Sequence, residues 1–252
     1  MAALELTRWN MPIGAGHPLV VIAGLNVLED LDLARAAARH LQGVCTELGL
    51  PYVFKASFDT ANRDLHEIDQ AEPVAAVADL VQIPAFLCRQ TDLVVATARA
   101  TKAAGGLLHV KKGQFLAPWD SRNILDKIKE AVEVDMTILC ERGVSFGYNN
   151  LVVDMLGIAE MQALGAPVTI DATHAVQLPG ANPKSNGAST GGRREGVPII
   201  AKAAVAAGAD GVFLEFHHDP DRALCDGPSC LPLTQAMPLL RTLKALRDAV
   251  QA

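Results

Sequence analysis

The strongest constraint on the fold is a sustained alternation of short apolar runs with amphipathic helical stretches. Seven apolar runs have the length of strands, and these are Leu19–Gly24, Tyr52–Ser57, Ala78–Pro84, Leu107–Lys112, Thr137–Arg142, Pro167–His174 and Gly211–His217. The helical patterns between and after them include Glu29–Leu48, Ser121–Val134, Leu151–Leu164, Arg194–Ala207 and Leu233–Val250. Because consecutive parallel strands need a helical crossover between them, this order predicts a parallel sheet covered by helices.

Chain length and composition narrow the choice of architecture. The 252 residues fit one (β/α)₈ barrel or one doubly wound domain. Half of the residues are hydrophobic but only 4% are aromatic, which is typical of a parallel sheet buried on both faces. No low-complexity linker divides the chain, so we expect a single barrel domain over residues 1–252. Only seven apolar runs are found, however, where a full barrel has eight strands.

The charge pattern excludes some classes of partner. The formal net charge is −6, and no run of Lys and Arg exceeds two residues, so we expect neither a nucleic-acid partner nor binding to an anionic membrane. No stretch approaches the roughly 20 apolar residues of a membrane span. The apolar stretch Pro18–Leu28 lacks the basic start and the cleavage site of a signal peptide and is interpreted as a first strand.

The five cysteines form no regular framework of disulfides. Cys225 and Cys230 are spaced like a zinc-binding pair, but no second pair completes a tetrahedral site, which disfavours zinc. An odd number of cysteines without a pattern, in a chain without a targeting segment, leads us to expect a cytoplasmic protein.

Polar side chains at the ends of the apolar runs are the first indication of a functional site. They are Asn26, Lys55, Ser57, Gln82, Lys111, Lys112, Arg142, His174 and Glu215. In parallel α/β folds the chemistry lies at the carboxyl ends of the strands. A structural layer of ion pairs could also use such residues. Burying several cations with few anions is unfavourable, so the pattern favours a phosphorylated or carboxylated ligand.

Six longer segments around these positions carry long motifs in a fixed order. They are Phe54–Asp59, Gln82–Leu93, Val110–Phe115, Glu141–Leu151, Asp171–Gln177 and Asp226–Ser229. Together they closely resemble the 3-deoxy-D-manno-octulosonate 8-phosphate synthase family, from about Val20 to the C-terminal helix. The resemblance implies a transferase that condenses phosphoenolpyruvate with arabinose 5-phosphate and water, releasing phosphate. The eight-carbon product serves lipopolysaccharide or plant pectin synthesis.

The resemblance also implies a substrate-binding set. Its members are Lys55, Ser57, Asn62, Arg63, Asp64, Gln82, Ala85, Phe86, Arg89, Lys111, Arg142 and Gln177. Lys55, Lys111 and Arg142 match the cations that bind phosphoenolpyruvate, and the planar fork of an arginine suits a phosphate. Asn62 and Arg63 match the start of the loop that holds the sugar phosphate. Arg89 matches an arginine that reaches a neighbouring subunit, which implies a homo-oligomer, a tetramer as in the family.

The residues that the resemblance implies as catalytic are His174, Asn26, Asp226 and Glu215. His174 matches the histidine near C2 of phosphoenolpyruvate. Members that need a divalent metal bind it with Cys, His, Glu and Asp, and Asn26 stands here at the cysteine position. An amide supplies neither the charge nor the softness of a thiolate. We therefore expect the metal-independent branch, without a cofactor, in which Asn26 and Asp226 orient water or a substrate hydroxyl.

One departure from the family lies directly after Arg63. The family continues there with two serines, a long loop, a helix and a strand, whereas this chain runs at once into Asp64–Glu67. Roughly 30 residues are missing, which is about one βα unit at this barrel size. In addition, Thr60 occupies the position of a second substrate-binding lysine. We therefore predict a TIM-type (β/α)₈ barrel with one βα unit missing. Seven strands would leave either a distorted closed barrel or an open seam between the second strand and the strand at Ala78–Pro84.

The residues leave open what the missing unit means. It could reflect a gene-prediction or splicing error, a lost segment, or a genuinely shortened member of the family. On this basis the phosphoenolpyruvate site is expected to be intact and the arabinose 5-phosphate site to be damaged. Two other functions remain. The chain could be a phosphoenolpyruvate-dependent sugar-acid synthase with another aldehyde acceptor, or a non-catalytic relative that only binds ligand or partner subunits.

Overall fold

A parallel sheet of seven strands forms the centre of the computed structural model, which describes residues 3–57, 65–181 and 190–251. The strands are β1 (Val20–Val27), β2 (Tyr52–Ser57), β3 (Leu80–Ile83), β4 (Leu107–Lys111), β5 (Thr137–Glu141), β6 (Val168–Asp171) and β7 (Gly211–His217). Their order across the sheet is β2-β1-β7-β6-β5-β4-β3, and each neighbouring pair is parallel. All seven predicted strands are therefore confirmed, with end shifts of a few residues.

Helices follow the strands and cover the outside of the sheet. They are α1 (Leu31–Leu48), α2 (Ala71–Ala75), α3 (Thr91–Ala103), α4 (Arg122–Val132), α5 (Leu156–Gln162), α6 (Val197–Ala206) and α7 (Ala236–Gln251). The first helix shows how local sequence sets the boundaries. The Asp30 side chain accepts hydrogen bonds from the backbone of Asp32 and Leu33, and Gly49 ends the helix with a left-handed φ of 67°.

Small aliphatic side chains form two apolar layers between the sheet and the helices. One layer joins β1, β6 and β7 to α1, α6 and α7, and the other joins β3, β4 and β5 to α3 and α4. Val21 and Ala23 represent the first layer and Val81 and Ile83 the second. Among the helices that the structure describes, none combines the length and the apolar character needed to cross a membrane.

Two short elements differ from the sequence-based expectation. An N-terminal antiparallel hairpin pairs Ala3–Leu6 with Met11–Gly14, and its four-residue strands are too short to be detected by periodicity. The helix expected from Leu151 begins only at Leu156. Leu151–Val152 instead pairs with Val144–Ser145 as an antiparallel ribbon. The prediction for this helix start was wrong because Leu151 is buried in the ribbon while Val152 is exposed, so the apolar pair does not belong to a helical face.

The sheet is open between β2 and β3. Among the described residues, no strand pairs with the outer edge of either one, so the seven strands curl without closing. A cavity of about 400 Å³ lies between the two edges and is lined by Val53, Phe54, Val74 and Leu80, among others. The predicted barrel that lacks one βα unit is confirmed, and the open seam is the alternative that the structure has.

Arg247 of α7 binds to the end of the barrel at which the strands begin. The guanidinium is buried and donates hydrogen bonds to the carbonyl oxygens of Gly14 (3.1 Å) and Ala209 (3.0 Å). It also lies 3.3 Å from the Asp210 carboxylate, which precedes β7. Removing one partner of a buried ion pair leaves the other charge uncompensated.

We therefore expect Arg247→Ala to lower the free energy of unfolding by about 3–5 kcal/mol. Urea denaturation followed by circular dichroism measures this loss. The matched control is Arg241→Ala, because the pair between Arg241 and Glu47 is solvent-exposed and should contribute less than about 1 kcal/mol. Equal losses in the two variants would show that Asp210 does not need its buried cation.

Candidate active site

The carboxyl ends of the strands direct charged side chains into one largely buried cluster. Strand ends supply Asn26, Lys55, Lys111, Lys112, Glu141, Arg142, Asp171, His174 and Glu215, and the following loops add Gln177 and Asp226. All four residues that were predicted as catalytic are in this cluster. Of the predicted substrate-binding residues, Lys55, Lys111, Arg142 and Gln177 join them.

A bulge in β1 sets the position of Asn26. The register between β1 and β2 shifts after Gly24, so that three residues of β1 follow where β2 has two. A Cβ atom on Gly24 would collide with the Lys55 carbonyl oxygen, so only glycine allows this close approach. The bulge turns Asn26 toward Asp226, and its Nδ2 donates a 2.8 Å hydrogen bond to Asp226 Oδ2.

The lysines of the cluster face carboxylates. The ion pairs are Lys55–Glu215 at 2.8 Å, Lys111–Asp171 at 2.9 Å and Lys112–Glu141 at 3.5 Å. We expected too few anions to balance the cations at these strand ends, and for the lysines this expectation was wrong. Asp171 and Glu141 end strands β6 and β5 and were not counted as partners. Acidic residues at strand ends, next to the motifs already recognised, would have been the signal for them.

Arg142 differs from the lysines, because it makes no ion pair within the part of the chain that the structure describes. Its Nη2 donates to Gln177 Oε1 at 2.9 Å, and Gln177 Nε2 in turn donates to Asp226 Oδ1 at 2.8 Å. Its Nη1 is buried and has no hydrogen-bond partner among the described residues. A buried guanidinium donor without an acceptor is costly, so the prediction that Arg142 binds an anionic group is compatible with its surroundings.

Asp171 fixes the orientation of His174. Asp171 Oδ2 lies 2.7 Å from His174 Nδ1, and Asp171 Oδ1 accepts the backbone N–H of the same residue. His174 Nε2 is then 3.7 Å from carboxylate oxygens of both Glu215 and Asp226. Burial alone would lower the pKa of His174, but the negative charges of Asp171 and Glu215 raise it to about 9. At neutral pH the ring is therefore protonated, with Nε2 directed toward two carboxylates.

The pKa of Asp226 moves in the opposite direction. Burial would raise it, but the positive charge of His174, 3.7 Å away, and the hydrogen bond from Asn26 hold it well below its usual range. Asp226 also has a left-handed backbone with a φ of 48°, a conformation that aspartate tolerates better than most residues. Asp226 is thus an ionised carboxylate held between an amide and an imidazolium.

The floor of the cluster contains an aromatic ring that sequence reasoning missed. Lys111 Nζ lies 4.1 Å from the ring centroid of Phe213, and the His109 ring stacks on Phe213 with the two centroids 6.0 Å apart. His109 is hydrogen-bonded to Gln82 Oε1 at 2.9 Å and to Thr169 Oγ1 at 2.8 Å. The Gln82 side chain, predicted to bind substrate, is therefore also part of this buried floor.

The remaining predicted residues occupy different surroundings. Ser57 is buried at the end of β2, and Ala85 is buried in a short helical turn after β3. Phe86 is 72% exposed, and Arg89 is exposed on the rim just before α3. The predicted residues Asn62, Arg63 and Asp64 lie outside the described residues.

Three residues could contribute to a metal site. His174, Glu215 and Asp226 offer ligand atoms that all lie within 4.8 Å of one another. Asn26 donates its Nδ2 to Asp226, and its buried Oδ1 has no hydrogen-bond partner among the described residues. The thiol of Cys225 is adjacent, but burial and the neighbouring carboxylate raise its pKa to about 12, so it remains protonated. Three ligands of a metal site are therefore close together, and beside them Asn26 offers a neutral amide oxygen in place of a thiolate.

The raised pKa of His174 predicts a pH-dependent stability. Because the folded pKa lies above the ordinary value of 6.5, protonated His174 stabilises the fold below about pH 6.5 and this contribution is lost as the pH rises through about 9. Burial also raises the pKa of thiols such as Cys45, which adds a second loss of stability above about pH 8.5, so the range below that pH isolates His174. We expect the free energy of unfolding to fall by about 1–2 kcal/mol between pH 6 and pH 8, and His174→Gln to remove this fall. Urea denaturation at about pH 6 and pH 8 measures it. The exposed His40→Gln control should keep the slope, and an unchanged slope in His174→Gln would contradict the prediction.

Comparison with known proteins gives full-length matches. The sequence profile of the DAHP synthetase I family matches residues 3–66 and 60–252. The protein named 2-dehydro-3-deoxyphosphooctonate aldolase from Desulfosudis oleivorans is 47% identical to this chain over 272 positions, which cover 95% of this chain and 94% of that protein. The protein of the same name from Trichlorobacter lovleyi is 46% identical over 277 positions, which cover 98% of each chain. The protein of that name from Cupriavidus taiwanensis is 44% identical over 275 positions, with 95% of this chain and 92% of that protein covered.

The comparisons also bear on the missing unit. The alignments are longer than the 252 residues of the chain, so the relatives carry residues that it lacks. The family match divides at residues 60–66, which is where the sequence motifs predicted the gap. Full-length similarity of this kind, together with the open seven-stranded barrel and its charged strand ends, establishes that the chain belongs to the DAHP synthetase I family and is similar to its 2-dehydro-3-deoxyphosphooctonate aldolases.

Proposed function

We propose that this chain is a 3-deoxy-8-phosphooctulonate synthase. It condenses phosphoenolpyruvate with arabinose 5-phosphate and water to give 3-deoxy-D-manno-octulosonate 8-phosphate and inorganic phosphate, in the cytoplasm and without a metal. The observation that carries the proposal is Arg142, whose buried Nη1 has no acceptor among the described residues while its Nη2 is tied through Gln177 to Asp226. The names of the relatives support the same reaction.

Arg142 and Lys111 hold the phosphoenolpyruvate anion in this proposal. A guanidinium suits the phosphate because its N–H groups form a planar fork, and Lys111 adds a compact positive charge. Lys111 is already paired with Asp171, so it binds the substrate without leaving a charge unpaired in the free protein. Lys55, which is paired with Glu215, adds a further positive charge for the substrate anion.

His174, Glu215 and Asp226 surround the reacting carbon in this proposal. As C3 of phosphoenolpyruvate attacks the aldehyde carbon, positive charge develops at C2, and the aldehyde oxygen takes up a proton. The two carboxylates near His174 Nε2 stabilise that positive charge. Water then adds to C2 and loses a proton, which leaves C2 with a hydroxyl and the phosphate ester. The bond between C2 and the phosphate oxygen breaks, and the hydroxyl proton passes to the departing phosphate as the C2 keto group forms. Asn26, held by Asp226, orients this water or a substrate hydroxyl.

The binding site for the acceptor sugar, arabinose 5-phosphate, is the part of the proposed enzyme that the missing unit affects. The residues predicted for the sugar phosphate, Asn62, Arg63 and Asp64, adjoin the gap at residues 60–66. We therefore expect phosphoenolpyruvate binding with poor turnover of arabinose 5-phosphate. The alternatives to this function are a synthase that uses another aldehyde acceptor and a protein that binds ligand without catalysis.

Phosphate release is the direct test. The full chain is incubated with phosphoenolpyruvate, with and without arabinose 5-phosphate and then with a panel of other aldoses. Slow release that depends on arabinose 5-phosphate supports the proposal, and faster release with a different aldose favours another acceptor. No release with any acceptor would make the chain a binding protein. A chimaera that carries a relative's segment after Arg63 should turn over faster.

Substitution of Arg142 tests the phosphate site. Because a hydrogen bond to a charged group contributes about 1.5–3 kcal/mol, Arg142→Ala should weaken phosphoenolpyruvate binding roughly 10- to 150-fold. Isothermal titration calorimetry measures the affinity, with the exposed Arg241→Ala as the control. Near-equal affinity in the Arg142 variant would mean that the cluster is a structural ion-pair layer.

Chelation tests the proposed independence from metal. Activity should survive dialysis against a strong chelator, because Asn26 takes the place of a thiolate beside His174, Glu215 and Asp226. Conversely, Asn26→Cys should create a binding site for Zn²⁺ or Mn²⁺, detected by calorimetry, whereas Asn26→Ser should not. Activity that is lost on chelation and restored by metal would refute the proposal.

We further propose a homo-oligomer, a tetramer, in which Arg89 reaches a neighbouring subunit. Arg89 is exposed and directly precedes α3, from where it can extend past its own rim. Light scattering at low micromolar concentration should give the mass of four chains. Arg89→Ala should then reduce turnover without unfolding the protein, and a stable, active monomer would exclude the cross-subunit role.

A further inference from the structure

The loop that follows strand β7 carries Asp226 into the charged cluster. After Asp226 the loop is anchored by Arg194, whose Nη2 donates a hydrogen bond to the Gly227 carbonyl oxygen at 2.7 Å. Before Asp226 it forms one helical turn at Pro220–Arg222, and the Leu224 side chain is 67% exposed. Exposed side chains contribute little packing, so the hydrogen bonds of this segment decide how firmly Asp226 is placed.

Glu29 connects this segment to the end of strand β1. Its Oε1 accepts the backbone N–H of Leu224 at 2.8 Å, and its own backbone N–H donates to the Val27 carbonyl oxygen at 3.0 Å in a tight turn. Glu29 is three residues after Asn26, and Leu224 is two residues before Asp226. The hydrogen bond of Glu29 therefore joins the same two segments as the 2.8 Å bond from Asn26 Nδ2 to Asp226 Oδ2.

His217, the last residue of β7, faces the second carboxylate oxygen of Glu29. The His217 side chain is buried, and its Nδ1 accepts the backbone N–H of Asp219 at 3.0 Å. Because Nδ1 accepts a hydrogen bond, we assign the ring proton to Nε2, which lies 3.4 Å from Glu29 Oε2. The His218 ring packs against His217 with the two centroids 4.2 Å apart. Both oxygens of the Glu29 carboxylate are thus directed at β7 and its loop.

The position of Asp226 decides several contacts at the centre of the cluster. Its Oδ2 accepts from Asn26 and lies 3.7 Å from His174 Nε2. Its Oδ1 accepts from Gln177, which in turn accepts from Arg142. A displacement of the loop would therefore disturb an amide, an imidazolium and, through Gln177, a guanidinium at the same time.

We propose that Glu29 is a positioning residue for this site. It acts through the N–H of Leu224, and it fixes the loop so that Asp226 keeps its contacts with Asn26 and His174. The property that this position requires is an acceptor for the Leu224 N–H. The expected effect on turnover rests on the proposed function, whereas the expected effect on the hydrogen bond between Asn26 and Asp226 does not.

Two variants that differ in the acceptor test the role of Glu29. Glu29→Met keeps the length of the side chain without an oxygen, whereas Glu29→Gln keeps a carbonyl oxygen for the Leu224 N–H. Since the lost bond has a charged acceptor, hydrogen exchange at the Leu224 amide should be roughly 10- to 150-fold faster in the Met variant. The side-chain amide of Asn26, followed by NMR after ¹⁵N-asparagine labelling and assigned by its absence in Asn26→Ser, should also exchange faster.

The Gln variant should restore most of the protection at both amides. The matched control is Glu47→Ala, which removes a carboxylate of α1 that pairs with Arg241 at the surface. Both amides should exchange in this control as they do in the unchanged chain.

Turnover separates positioning from stability alone. Because a small misplacement of a group that surrounds the reacting carbon is costly, Glu29→Met should lower kcat for phosphate release roughly 10- to 100-fold. The KM for phosphoenolpyruvate should change less, since Lys111 and Arg142 hold that substrate in the proposed function. Glu29→Gln should recover most of the turnover. A purely structural role would lower the melting temperature of the Met variant and leave the kcat of its folded fraction unchanged.

Should Glu29→Met fail to fold, the donor of the same bond can be removed instead. Leu224→Pro lacks the N–H, and Leu224→Ala keeps it. Proline suits this position because the preceding Ala223 has a ψ of 136° and the Leu224 side chain is exposed. The Pro variant should then show the faster exchange at Asn26, and the Ala variant should not.

An Asn26 amide that exchanges at the same rate with and without the bond between Glu29 and Leu224 would overturn the proposal, whatever the turnover. An unchanged kcat in a folded Glu29→Met would do the same. If the unmodified chain releases no phosphate with any acceptor, the proposed function fails on its own, and the exchange of the Asn26 amide still decides whether Glu29 positions Asp226.

Discussion

Charge compensation in a buried space is the constraint on which this site depends. Parallel strands bring their carboxyl ends together, so every polar residue placed there shares one small volume. Asp171 is central to that volume because its carboxylate contacts both Lys111 Nζ and His174 Nδ1. Without it, two positive charges would be buried next to the Phe213 ring with no anion between them. The same carboxylate raises the pKa of His174 and fixes which nitrogen faces the centre.

The lysine pairs and Arg142 have different consequences for function. A lysine that is already paired is compensated whether or not a ligand is bound, so the site can exist empty without a large electrostatic penalty. Arg142 is different, because its buried Nη1 has no acceptor among the described residues. In the proposed function this donor gains its partner when the substrate anion binds.

The missing βα unit leaves the charged cluster at the strand ends in place but prevents the sheet from closing into a barrel. The strand ends that form the charged cluster belong to the seven strands that are present, and each of these strands pairs with its neighbour from β2 to β3 around the sheet. Closure of the barrel is lost, since strand number, tilt and stagger are linked in a closed sheet. The consequence is an intact cluster beside an open, apolar seam at Phe54 and Leu80.

Much of this molecule could be read from local sequence. The seven strands, the parallel order and the break after Arg63 follow from apolar runs and from motif order, because these depend on residues close together in the chain. The cluster members at strand ends were predicted for the same reason. The limits of short elements, such as the N-terminal hairpin and the ribbon at Leu151, were not, since four residues carry too little periodicity.

Only the tertiary structure decided which charged and polar residues form pairs. The partners Lys111 and Asp171 are 60 positions apart and Asn26 and Asp226 are 200 apart, and no local pattern encodes such distances. The bulge at Gly24, which turns Asn26 toward Asp226, depends on the approach of β2. The sequence therefore determined the fold class, the family motifs and the position of the gap. The pairing of buried charges, the protonated state of His174 and the unmet donor of Arg142 were decided by packing, because a pKa and a hydrogen bond depend on neighbours in space.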